Sequence, residues 1–181
     1  MSTTQTKIEI PTGTWKIDPL HSTASFEVEH NGFSLFRTSF GEVDATLATD
    51  GDTTSIEGRV AVESIDVSQA DFRAHLLSPE FFDAARHSHI EFSSNDFSAE
   101  GENVVLRGEL TIAGRSNPIE ATGAIRGPLT DAFGGERISL SLEANVNRHE
   151  YGIGWNMDLP NGKKVLGDDV KLVVELELVK E

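Results

Sequence analysis

Six histidines, His21, His30, His75, His87, His89 and His149, are the imidazoles this chain has for acid–base or metal chemistry. His87 and His89 stand two apart and would share one face of a strand that began there, the start of a zinc site. No third ligand follows at a telling spacing, and Ser88-His89 reads as a loop entering a strand, so no metal is expected. His30 falls at the end of an alternating apolar stripe, in phase with its dry side. His75 sits among apolar residues at helical spacing, and Arg148 ends another apolar stripe. Each histidine reads either as a polar contact for a ligand or as a satisfied core or rim residue. Arg148 reads either as a clamp on a ligand's polar group or as the partner of a carboxylate. Cysteine is absent, so no disulfide or thiolate chemistry is available. There is no G-x-S-x-G elbow, no Walker A sequence and no G-x-G-x-x-G fingerprint; Gly152-Ile153-Gly154 runs on into Trp155-Asn156-Met157. Carboxylates are abundant, but those around Leu172 point away from the apolar side, where a glycosidase pair would be useless. No catalytic residue is assigned, and a non-enzyme is expected.

The elements that must position these groups are strands. Ala24, Phe26 and Val28 alternate with Ser25, Glu27 and Glu29, after a turn marked by Asp18-Pro19. The same period of two recurs at Val43-Ala45-Leu47, Ile56-Val60-Val62, Val104-Leu106-Leu110-Ile112 and Ile119-Ala121-Ile125. It closes with Ile138-Leu140-Leu142-Ala144-Val146 and Val170-Leu172-Val174-Leu176-Leu178. With Trp15 and a short Ile90-Phe92 strand, the count is eight or nine. One segment, 68–87, has helical spacing instead. Ser68, with Asp71 behind it, reads as one N-cap and Ser78-Pro79 as a second start, giving one or two short helices. Long alternating strands near eight in number predict an all-β, antiparallel β-barrel, wide enough to be filled by its own side chains or to hold one small ligand. Gly58, Gly108 and Gly123 fall on the inward phase, either as room for a ligand or as bends.

The chain has 181 residues and a net charge of −15, from 30 acidic and 15 basic residues. That balance argues against nucleic acid, whose phosphates need lysine and arginine, and against docking on an anionic membrane. No apolar run approaches the roughly 20 residues needed to span a bilayer. Residues 1–12 read as a disordered tail and 13–181 as a single domain. No secretory leader is visible, so a cytoplasmic location is expected; a mature chain with its leader removed would look the same.

A set of short pieces in chain order then resembles one family. They are Trp15-Lys16-Ile17-Asp18, His21-Ser22, Phe26, His30, Phe40-Gly41, Ser64-Ile65-Asp66, Arg73-Ala74-His75-Leu76, Phe81-Phe82-Asp83 and His89-Ile90-Glu91-Phe92. Gly108 to Gly114, Pro118-Ile119, Asn147-Arg148, Tyr151-Gly152 and Gly167-Asp168-Asp169-Val170 complete it. The sequence resembles the YceI-like family of lipocalin-like, polyisoprenoid-binding proteins. It departs from the family pattern at Arg73-Ala74, where an acidic residue often precedes the histidine, at His149 and at His89. The resemblance implies an extended antiparallel barrel around an apolar tunnel that holds a long isoprenoid or similar lipid, often in a homodimer.

These readings combine into one expectation: non-enzymatic binding, storage or transport of a long-chain apolar small molecule, with no cofactor and no stable membrane insertion. Ala24, Phe26, Val28, Leu110, Ile112, Leu140, Leu142, Val174 and Leu176 are expected to line the tunnel, with Phe72, Leu76, Phe81 and Phe82 at its gate. His30, His75 and Arg148 are expected at the polar end. Two alternatives stand beside it: a small barrel enzyme acting on a lipid or quinone through histidine and arginine, and a solid-core barrel acting through its surface.

Overall fold

The computed structural model describes residues 9–181. Strands β1 (Gly13–Ile17), β2 (Thr23–His30), β3 (Ser34–Phe40), β4 (Val43–Thr49) and β5 (Thr54–Ala61) lead into one helix, α1 (Ala70–Leu77). Then follow β6 (His89–Glu100), β7 (Asn103–Ile112), β8 (Arg115–Thr130), β9 (Glu136–Asn147) and β10 (Leu166–Lys180). All pairings are antiparallel, in the order β1-β4-β5-β6-β7-β8-β9-β10-β2-β3. β1 also pairs with β10, Trp15 lying opposite both Leu47 and Lys180, and this closes eight strands into a barrel. The expected fold class is therefore the observed one, with two further strands. No helix is long and apolar enough to cross a membrane among the described residues.

The two extra strands exist because β10 is 15 residues long. Its last residues pair with β1, and the earlier ones pair with β2 from Glu175↔Thr23 back to Leu166↔His30. β1 and β2 thus form one interrupted edge along β10. The Asp18–Ser22 turn bridges the interruption without breaking the ladder: Asp18 donates its N–H to Glu177 O at 2.8 Å, and Glu177 N–H donates to Ser22 Oγ at 3.0 Å. β2 returns as β3 through Asn31 and Gly32, both with positive φ, as a tight hairpin turn requires. The free edge of β3 is covered by the segment leading to α1, through Phe40↔Ile65 and the Asp66 N–H to Ser39 O bond of 2.8 Å.

The expected helical segment resolves into one helix rather than two. Gln69, not Ser68, caps α1, its side chain accepting from Phe72 N–H at 2.6 Å. A second helix from Ser78 does not form. Asp83 takes φ 51°, which no right-handed helix tolerates. The N–H groups of Phe82 and Ala84 instead satisfy the carbonyls of Leu76 and Leu77 at the end of α1. Of the expected tail, residues 1–8 lie outside the described residues; Ile10 packs on the core and Pro11 O accepts the Trp15 indole N–H at 3.1 Å.

The interior has two levels. The end nearest β1 is solid: Trp15, Leu47, Leu106, Ile125, Leu140 and Leu178 are wholly buried there. Outside this floor, the Arg137 guanidinium joins Asp18 at 2.7 Å, Asp131 at 2.5 Å and Glu177 at 2.6 Å, tying the β1–β2 turn to β9 and β10. Asp18, His21 and Glu177 come together closely enough to suggest a metal cluster, but Arg137 already meets both carboxylates. Arg137 holds the Asp18 carboxyl well below the usual carboxylate range and, with the N–H groups of Gly135 and Phe133, brings Asp131 down to about 2. Hydrogen bonding to Asp18 raises His21.

Both carboxylates titrate lower when folded, so their contribution is complete above the ordinary carboxyl range and fades as pH falls through the folded values. Arg137→Met is expected to lower the denaturation midpoint at neutral pH. The deficit relative to the parent should shrink as pH drops from about 4 toward about 2. Midpoints that differ equally at pH 7 and pH 2 would show that the cluster is not an electrostatic clamp.

Candidate functional site

Above the floor the barrel is hollow. A cavity of about 650 Å³ opens at the end covered by α1, the β2–β3 hairpin and the 148–166 loop. Its wall is the continuation of the inward rows: Ala24, Phe26 and Val28 from β2, Leu110 and Ile112 from β7, Leu142, Ala144 and Val146 from β9, and Val170 to Leu176 from β10. Period-two alternation put these side chains inside. What keeps them from meeting is the diameter of an eight-stranded barrel, which aliphatic residues alone do not fill.

An aromatic web roofs part of the space. Phe26 meets Phe36, Phe40 and Phe82 at 6.1, 6.0 and 6.1 Å between ring centroids, and Phe36 meets Phe72 of α1 at 5.3 Å, mostly edge to face. At the mouth, His75 presents edges to Phe81 at 4.9 Å and Trp155 at 5.0 Å, while its Nε2 pairs with Glu80 at 2.8 Å. Phe33, Leu35 and Phe72 are exposed around the hairpin and helix that flank the opening. The wall is therefore apolar nearly throughout, with His30 and His75 at its rim.

Of the residues expected from sequence, Ala24, Phe26, Val28, Phe72, Leu76, Phe81, Phe82, Leu110, Ile112, Leu142, Val174 and Leu176 all reach this one cavity, as do His30, His75 and Arg148. Leu140 does not. It shares the inward phase of β9 but lies lower, opposite Ile125 and Leu176, inside the solid floor. Phase reports which side of a strand faces in; it carries no information about depth along the barrel axis. His30 is exposed at the rim rather than held in an apolar stripe.

Arg148 lines the cavity but is not free to meet a ligand's polar end. It is only 4% exposed, and its donors are spent within the protein. Nε–H donates to Gly167 O at 2.7 Å, and the Nη1 hydrogens go to Ile153 O at 2.8 Å and Trp155 O at 2.9 Å. Nη2 faces Leu166 O at 3.5 Å and Asp168 at 3.4 Å. All five guanidinium hydrogens have partners, so none is left for a ligand head group. Burial lowers its pKa from the usual arginine value, opposed by Asp168. Its work is to hold the 153–167 loop that forms one side of the mouth.

Sequence reading missed Phe36, Phe40, Phe92, Ile153 and Trp155, all on the wall. Phe36 and Phe40 alternate with Leu35, Arg37 and Ser39, but the exposed Leu35 disguises the phase of β3. Ile153 and Trp155 lie in an irregular loop with no period to read. The inward glycines resolve mainly as close approaches: a Cβ on Gly123 would sit 1.8 Å from Ser141 O, and one on Gly108 would meet the Phe92 ring at 2.9 Å. Gly58 alone of the three borders the cavity.

Arg148→Met is expected to cost about 3–5 kcal/mol, because it strands buried carbonyls that a thioether cannot satisfy. Arg148→Lys should recover little of this, since one ammonium cannot span the same acceptors. Denaturant titration of both variants measures it; a loss under about 1 kcal/mol would show that the loop does not depend on this side chain.

The model of the YceI-like domain matches residues 15–178. Protein YceI of Salmonella arizonae is 26% identical over 172 residues, covering 92% of this chain and 87% of that protein. The crystal structure of BcnA from Burkholderia cenocepacia superposes with a TM-score of 0.75 at 17% identity, over 89% of this chain and 98% of that one. A structure described as a polyisoprenoid binding domain from Saccharophagus degradans, implicated in plant cell wall breakdown, gives 0.72 at 13% identity, over 92% and 98%. With the family match spanning nearly the whole barrel, this chain belongs to the YceI-like domain family.

Proposed function

We propose that the chain is a non-enzymatic binding protein for a long apolar molecule, an isoprenoid or a similar lipid, held in the barrel for storage or transport. The observation that carries this is the 650 Å³ cavity with aliphatic and aromatic walls. Water in such a space finds few polar partners, whereas an apolar chain loses surface to the wall at about 25 cal/mol per Å². A structural relative described as a polyisoprenoid binding domain supports the same class of ligand. The hollow interior speaks for a binder over a solid-core interaction module. The spent donors of Arg148 deprive the enzyme reading of its anion clamp, leaving His30 and His75 as the rim groups that would meet a polar head.

The two tryptophans supply a direct assay. Trp155 lies on the cavity wall and Trp15 lies in the floor. Titration with a four-unit prenyl alcohol is expected to change tryptophan emission saturably, and Trp155→Phe should remove most of that change while uptake of the alcohol persists. Ala144→Phe places a ring in the cavity and should weaken uptake at least about tenfold, with the fold retained by circular dichroism. A protein that takes up no prenyl alcohol, or an Ala144→Phe protein that binds as well as the parent, contradicts the proposal.

A further inference from the structure

Apolar surface does not stop at the rim of the barrel. Phe33 stands 83% exposed at the tip of the β2–β3 hairpin, and Leu35 of β3, Phe72 of α1 and Met157 of the 148–166 loop are exposed as well. Contacts among these segments gather the four side chains at one end of the molecule. Asn31 N–H donates to Val165 O at 2.7 Å, and Val165 N–H donates to Met157 O at 3.0 Å, so hairpin tip and loop lie side by side. The Phe72 ring meets Phe36, the neighbour of Leu35, at 5.3 Å. Leu35 and Phe72 also border the cavity, which makes the outer patch continuous with the inner wall. Single exposed apolar side chains are ordinary; four grouped around an opening mark a contact surface.

Charge narrows the partner. The segments that carry the patch, 30–35, 70–82 and 155–166, hold Arg73, Lys163 and Lys164 against Asp71, Glu80 and Asp158, which balance to zero in a chain of −15. The acidic excess, which opposes docking on an anionic membrane, therefore lies elsewhere on the molecule. Lys163 follows the hairpin turn, its Cδ 3.0 Å from where a Cβ on Gly32 would stand, and has no carboxylate partner among the described residues. An ammonium on a flexible stem beside exposed rings and a thioether suits a phospholipid interface, with phosphate at one level and acyl chains at the next. A second exposed apolar group, Leu20, Leu129 and Phe133, differs on each count. It lies at the closed end, where the N–H groups of Leu20 and Phe133 bind the carboxylates of Asp18 and Asp131, and it borders no cavity.

We propose that the open end of the barrel docks on a zwitterionic phospholipid bilayer, with Phe33, Leu35, Phe72 and Met157 entering the interface. A lipid then passes between bilayer and barrel along one apolar surface, without crossing water. The contact rests on the proposed binding reading for its purpose; the patch and its neutral surroundings stand without it.

Flotation with phosphatidylcholine vesicles tests the contact with no cargo present. The parent should float with the vesicles, and the double variant Phe33→Ser, Met157→Ser should partition at least about tenfold less, having lost two apolar side chains from the interface. Phe133→Ser, which removes a ring 96% exposed at the closed end, should float as the parent does. Neither Phe33 nor Met157 lines the cavity, so the double variant should take up a four-unit prenyl alcohol from solution as the parent does. Its uptake from vesicles loaded with that alcohol should slow at least about tenfold. A parent that does not float, or a double variant that matches it in flotation and in uptake from vesicles, overturns the docking. Equal loss of flotation in Phe133→Ser overturns the open end as its seat. A parent that sediments as a dimer, with a monomeric double variant, assigns the patch to a second copy of the chain and overturns the bilayer contact. Flotation without uptake of the alcohol from solution supports the docking and overturns the binding reading.

Discussion

The structure depends on a mismatch between a closed barrel and the side chains that face into it. Eight strands give an interior that Leu, Ile, Phe and Trp can fill only where they converge from opposite walls. Around Trp15, Leu47, Ile125, Leu140 and Leu178 they do. Nearer the mouth the inward residues do not meet across the barrel, and about 650 Å³ is left without protein. The hollow level is continuous with strands already pinned in the solid floor below it.

Two polar assemblies serve the two ends. At the closed end, Arg137 gathers Asp18, Asp131 and Glu177 and fastens the corner where β1 gives way to β2 along β10. At the open end, Arg148 uses its hydrogens on backbone carbonyls and Asp168, keeping an irregular loop in one conformation beside the mouth. Arg137 lies on the outward phase at the start of β9 and Arg148 follows its inward phase at the end, and both spend their charge on architecture. The arrangement leaves the cavity wall itself nearly free of charge, which suits a ligand without charge along its length.

Much of this was legible in the residues. Period-two alternation is a direct consequence of strand geometry, so the inward rows of β2, β7, β9 and β10 could be read off and do face the interior. Four things could not. Depth was one: Leu140 and Leu142 are indistinguishable by phase, yet one lies in the floor and the other on the wall. Edge elements were another: β3 hides because Leu35 is exposed, and the second half of β6 hides because Ser93 to Ser98 has a bulge and a mostly polar composition. The third was the role of Arg148, whose partners lie 5 to 20 residues away in sequence within a loop that has no period. The segment after α1 reads as helix from Ser78-Pro79 alone. The left-handed turn at Asp83, which lets two N–H groups close the end of α1, is a tertiary choice with no local signal.

The central claim is that the upper half of the barrel is a lipid site. Native mass spectrometry of the purified protein, before and after organic extraction, tests it most directly. The account predicts a population heavier than the 19.7 kDa chain by a single lipid, lost on extraction and restored by adding a prenyl alcohol of four units. A protein that carries no adduct as purified and acquires none from any apolar chain would contradict it.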